Sequence, residues 1–152
     1  MIKDKSKIIE DKEYIAIVSD LLKQEKVLKM KQYRQHYHVS CFDHCLFVSY
    51  NTYLICKKYN LDYVSAARAG LLHDLFLYDW RKRENGRKRF HAFTHGKLAY
   101  KQATTFINLN DKERDMIIKH MWPVTPAFPK YKETFIIIYV DKYFAIAEAF
   151  IK

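Results

Sequence analysis

Apolar positions recur at helical spacing over most of this chain. Across residues 4–30, Ile8, Ile15, Val18, Leu21 and Leu22 form a stripe among lysines and glutamates with no Gly or Pro between them, which predicts one long amphipathic helix. Ser40 suits the N-cap of a second helix that runs to residue 59 and closes at Asn60. Asp62 can cap a third over the apolar residues 63–78, where Ala66, Ala67, Ala69 and Gly70 let a neighbouring helix approach closely. Thr94 is expected to cap a helix over 95–106. Asn110 or Asp111 caps another over 112–121, which must stop near Pro123. All three prolines fall in a loop at 122–129. Beyond it, the run FIIIYV alone would suit a buried strand. The twenty residues after the last proline carry no turn signal, however, and their length favours a helix over 132–151. The pattern predicts an all-α protein: a single compact bundle of about six or more helices over 1–152, with the N-terminal helix (1–30) packed on a core at 36–150.

Residues 80–90 break the pattern. They carry six basic residues against one glutamate and no hydrophobic period, and read as an exposed loop turning at Gly86. Composition agrees with a folded domain: 152 residues, 49% hydrophobic, with 10 Phe and 12 Tyr, can build a core, which excludes a disordered linker. No apolar run approaches the roughly 20 residues that span a bilayer. The N-terminus lacks the apolar centre of a signal peptide. Cys41, Cys45 and Cys56 have no framework spacing and read as reduced thiols, so the expected location is cytoplasmic and away from membranes. The excess of 27 Lys+Arg over 17 Asp+Glu, net +10, favours anionic partners: phosphate esters, nucleic acid or a lipid surface.

The chemistry is carried by polar residues set in apolar helices. His73 and Asp74 stand inside AGLLHDLFL, and burying both unpaired would cost several kcal/mol. A divalent cation compensates them economically, with Asp a hard oxygen donor and neutral His a nitrogen donor. His44 lies beside Cys45, Leu46, Phe47 and Val48, and Asp141 interrupts the apolar run of the last helix. Singly, each has an ordinary reading: a satisfied core histidine, or a carboxylate at a solvated edge. Jointly they give the order H, HD, D on three apolar helices.

That order resembles the HD-domain superfamily of metal-dependent phosphohydrolases, over roughly residues 36–150. The resemblance implies that His44, His73, Asp74 and Asp141 hold one metal ion. His95 and His120 resemble the extra ligands of the binuclear branches, in which the HD aspartate bridges two ions. As alternatives, His120 can cap a helix C-terminus, and His95 can be a solvated position in a first turn. His91, one turn before His95, could replace it or meet substrate; the catalytic centre would then comprise Asp74, His73 and His91. The ligand set suits Fe, Mn, Co, Ni or Zn. The implied activity is phosphohydrolysis of a nucleotide or other small phosphoester by a metal-bridging hydroxide. Whether the bond cut is a monoester, a diester or a dinucleoside polyphosphate stays open. The HD-GYP cyclic-dinucleotide enzymes carry Gly-Lys soon after the pair, where this chain has Leu75-Phe76-Leu77-Tyr78. The small bacterial di-iron hydrolases of dinucleoside tetraphosphates are nearer.

Arg87, Arg89 and Lys97 are the first candidates for the substrate's phosphates, with Lys142 also near a ligand in sequence. His38 and His36 could line the pocket mouth, and Asp79 could orient a water or a substrate hydroxyl, or cap a loop. Cys41 and Cys45 share a helix face, yet read better as small buried hydrophobes than as zinc ligands. The competing function is a basic nucleic-acid- or ligand-binding module, in which the charged segment acts and any metal is structural or absent. A second copy of the chain is an admissible partner.

Overall fold

The computed structural model describes residues 1–36, 38–75 and 91–150, without the side chains of residues 35, 36 and 91–93. Among these residues it is an all-α bundle of eight α-helices: α1 Lys5–Glu10, α2 Lys12–Leu22, α3 Glu25–Lys29, α4 Cys41–Lys58, α5 Tyr63–Leu72, α6 His91–Ala103, α7 Asp111–Lys119 and α8 Lys132–Ala149. One 3-10 turn (Met30–Gln32) and a two-stranded antiparallel ribbon, β1 Arg34–His36 with β2 Val39–Ser40, lead into α4. The sequence pattern gave no hint of this ribbon. The expected basic loop at 80–90 lies outside the described residues, as does the end of the segment read as a third helix.

The N-terminal segment is three helices rather than one. Asp11 leaves the helical region at φ −77°, ψ 94° and caps the next helix by accepting from the Tyr14 N–H, while Gln24 is extended before α3. An aspartate's short side chain bonds its own backbone and competes with the helix, so the unbroken apolar stripe concealed the corner at Asp11. Elsewhere capping followed the chemistry. The Ser40 hydroxyl accepts from Asp43 N–H, and Asn60 takes the left-handed conformation past α4 (φ 58°). Asp62 accepts from Ser65 N–H, and Asn110 and Glu113 form a reciprocal capping box at α7. Helix α6 begins at His91, so Thr94 lies within it and is not its cap.

Helices α4 and α5 form the centre of the bundle, with α2, α7 and α8 packed around them. The small residues of α5 act as expected: a Cβ at Gly70 would stand 2.5 Å from Ser49 Cα, so the backbones touch there. Ser49 Oγ also donates to Ala67 O and pairs with the Tyr14 hydroxyl at 2.7 Å, tying α2, α4 and α5 at one point. Asp115 on α7 accepts from Lys130 N–H (2.9 Å) and the Thr134 hydroxyl (2.6 Å), which fixes the start of α8 and hence its register. All three cysteines are buried free thiols. No helix among the described residues is long and apolar enough to cross a membrane.

Candidate metal centre

The C-terminal ends of two helices, α5 and α7, and side chains from within three others, α4, α6 and α8, meet in one buried region. Helix α5 stops at Leu72, and His73 is its C-cap rather than an interior residue. Its Nδ1–H donates to Gly70 O at 2.7 Å, satisfying a carbonyl that the helix end leaves without a partner. His120 repeats the device at the C-terminus of α7, donating from Nδ1 to Ile117 O at 2.8 Å. The capping role and the inward-facing ring are therefore not alternatives: in both histidines the cap fixes the tautomer and leaves Nε2 as a lone pair. His44, in the first turns of α4, donates from Nδ1 to the buried Glu148 carboxylate at 3.0 Å, with the same consequence for its Nε2.

The three Nε2 atoms converge on carboxylates. His44 Nε2 lies 2.9 Å from Asp141 Oδ1 and 3.5 Å from Asp74 Oδ2. His73 Nε2 lies 3.1 Å from Asp141 Oδ1 and 3.2 Å from Asp74 Oδ2. The other oxygen of Asp74 stands 3.2 Å from His95 Nε2 and 3.2 Å from His120 Nε2, which are 2.8 Å from each other. All six side chains are buried. They form two groups, His44–His73–Asp74–Asp141 and Asp74–His95–His120, and Asp74 offers one oxygen to each.

An imidazole lone pair and a carboxylate oxygen are both acceptors, so each contact needs a cation between them, either a proton or a metal ion. With protons alone, burial opposes a charged ring, yet Asp141 and Glu148 push His44 up to about 10. His73 is likewise held well above its ordinary value, against its burial, by Asp74 and Asp141. Burial would raise both aspartates, but His73 and the other rings hold Asp74 and Asp141 far below the usual carboxylate range. His120 moves the other way, kept neutral by burial despite Asp74. A metal ion satisfies the same atoms. Ligands about 2.0–2.2 Å from one ion stand roughly 3.0–3.5 Å apart; most of the contacts above fall in that range, and the donor atoms of each group all lie within 4.8 Å of one another. The buried groups are able to bind metal ions, and the His/Asp donor set suits a divalent transition metal.

Local packing holds the second group. A Cβ at Gly96 would stand 2.7 Å from Ile118 O and 2.9 Å from Ile117 O, so only glycine lets α6 lie on the end of α7 and bring His95 onto His120. Sequence reasoning missed Glu148. It follows Asp141 by seven residues, two turns along one face of α8, and that spacing of two acids in an apolar helix was the available signal. A carboxylate on the far nitrogen of a ligand histidine orients the ring and raises its basicity. Glu148→Gln should therefore weaken metal retention about 10–100-fold with the fold intact, as read by competition with a chromogenic chelator. Protons and metal compete for the same lone pairs, and the neighbouring carboxylates raise the proton affinity of His44 and His73, so bound metal should fall as pH drops below about 10, checked by equilibrium dialysis.

Other expected site residues do not join the cluster. Lys97 is exposed and lies about 200° around α6 from His95, which turns it away. His38 is exposed in the turn between β1 and β2. Lys142 Nζ donates to Trp122 O at 3.3 Å. Arg87, Arg89 and Asp79 lie outside the described residues. His91 opens α6, and its side chain is likewise outside them. Neither metal-binding group contains a cysteine; Cys41 donates instead to Asp74 O at 3.2 Å. The arrangement is compatible with an HD-type metal site, while the chain matches no protein-family model, no curated protein and no solved structure.

Proposed function

We propose that this chain is a metal-dependent phosphohydrolase of the HD type, holding two divalent transition-metal ions and acting on a nucleotide or another small phosphoester. The observation that carries this reading is the division of Asp74: its two oxygens serve two separate buried donor groups, an arrangement suited to a pair of neighbouring cations. Such ions, when bound, supply Lewis acidity toward phosphoryl oxygens and make water a nucleophile near neutral pH. The chain's own residues do the rest. His73 and His120 are held by backbone carbonyls and His44 by Glu148, so the rings are oriented before any ligand arrives. The ligand side chains are themselves buried, which keeps the local dielectric low.

The segment between Leu75 and His91 joins the two donor groups along the chain, since His73 and Asp74 precede it and His95 follows. For that reason Arg87 and Arg89 are assigned to the substrate's negative charge, and His91 to the substrate side of the centre. The test is metal analysis of protein purified without a histidine tag, followed by a phosphoester panel that includes nucleotides and dinucleoside polyphosphates. Hydrolysis that a chelator and His73→Ala both abolish is expected. Full turnover by a metal-free preparation, or tight oligonucleotide binding without any hydrolysis, would overturn the assignment.

A further inference from the structure

Helix α8 carries the site on one face and, among the described residues, an exposed apolar stripe on the other. Ile137, Val140, Asp141, Phe144 and Glu148 point inward. On the outer face stand Phe135, Tyr139, Tyr143, Ile146 and Phe150, of which Tyr139 is 61%, Ile146 62% and Phe150 80% exposed. At 100° per residue these five fall within an arc of about 80°, running roughly 22 Å along the helix. Beyond Lys132 no exposed residue of α8 is charged, although 29% of the chain is. Lys142, at the edge of the stripe, is only half-exposed and is turned to Trp122 O. At its N-terminal end the stripe continues into the packed rings of Trp122, Phe128 and Phe135, whose centroids are 5.2–5.8 Å apart. A soluble helix that is apolar all round normally has both faces covered.

We propose that this face is covered by α8 of a second copy of the chain, packed antiparallel about a two-fold axis near Tyr143. Two features favour a copy of the same chain. The stripe reads almost the same in both directions, with phenylalanine at each end and tyrosine at the centre. Antiparallel pairing sets Phe135 against the partner's Phe150 and Tyr139 against the partner's Ile146, and a self-complementary patch is what a two-fold interface requires. The area also fits. At roughly 200 Å² per aromatic side chain, the five residues leave on the order of 600 Å² exposed. Phe128 (65% exposed), packed on Phe135, brings the patch toward the ~800 Å² per partner of a standard interface. An uncovered patch of that size exceeds what most monomers tolerate. Tyrosines at the centre suit a protein interface.

Sedimentation of the intact chain at about 50 µM should give twice the chain mass, and Tyr139→Glu combined with Ile146→Glu should give the chain mass with unchanged helical circular dichroism. Cross-linking gives a test that does not depend on a disruptive substitution. Tyr143→Cys, near the axis, should oxidise to a linked dimer. Phe150→Cys, roughly 22 Å from its own copy, should link only to Phe135→Cys in mixed samples. The native cysteines are buried and leave the readout clean. A monomeric wild-type chain would overturn the proposal. So would a stripe variant that still dimerises, cross-linking of Phe150→Cys to itself, or a monomer that instead binds anionic lipid vesicles through the stripe.

Discussion

Asp74→Ala is expected to empty both halves of the metal centre at once. Asp74 is 1% exposed and is the one residue shared by the two donor groups, with Oδ2 toward His44 and His73 and Oδ1 toward His95 and His120. Without it the first group keeps two histidines and Asp141, and the second keeps two histidines and no counter-charge. If the proposed pair of ions activates both water and phosphoryl oxygens, bound metal should fall from about two equivalents to near none, and phosphoester hydrolysis by at least ~100-fold. His120→Ala is the informative contrast. It removes a ligand from the second group only, so about one equivalent should remain in the four-residue group, with hydrolysis lost. Plasma emission spectrometry alongside an activity assay separates the two outcomes. Equal metal loss in the two variants would contradict the bridging role of Asp74.

Gly70→Val should be the most destabilising single change outside the centre. Its Cβ would meet Ser49 Cα at 2.5 Å and Ser49 N at 3.0 Å, and these are backbone atoms that cannot rotate away. Gly70→Ala sets a helix-propensity gain of about 1 kcal/mol against this overlap. Valine adds two methyl groups and a β-branch, and overpacking of this kind costs about 1–3 kcal/mol or more. For a chain of this length a loss of about 3 kcal/mol lowers Tm by roughly 6–12 °C, measurable by calorimetry or urea titration. The effect should reach the metal as well. The carbonyl of Gly70 orients His73, and α4, which must move aside, carries His44. A variant with unchanged Tm and unchanged metal content would show that the α4–α5 contact is looser than the geometry requires.

The sequence-level signals that held were those whose cause is local. Ser40, Asp62 and Asn110 cap helices because their side chains reach backbone N–H groups two or three residues away, whatever surrounds them. The buried cluster of His44, His73, Asp74 and Asp141 was legible because a polar residue in an apolar helix needs a partner, and the helices that bury these side chains leave few places for one. What sequence alone concealed was longer-range. The corner at Asp11 leaves the apolar stripe intact, so periodicity passes straight over it. The end of α5 at Leu72 is fixed by where His73 must point, not by a breaker residue. Glu148 has no signal of its role in its immediate neighbours, and that role appears only where α8 brings it within 3.0 Å of His44. Lys97 looked close to the site because it is two residues from His95, yet on a helix that spacing is close to opposite.

The most direct test of the whole account is anomalous diffraction from crystals of the metal-loaded protein, collected at the absorption edge of the bound metal. Two peaks are expected a few ångströms apart. One should be surrounded by His44, His73, Asp74 and Asp141, and the other by Asp74, His95 and His120. Metal bound elsewhere, or none in a protein that hydrolyses phosphoesters, would contradict it.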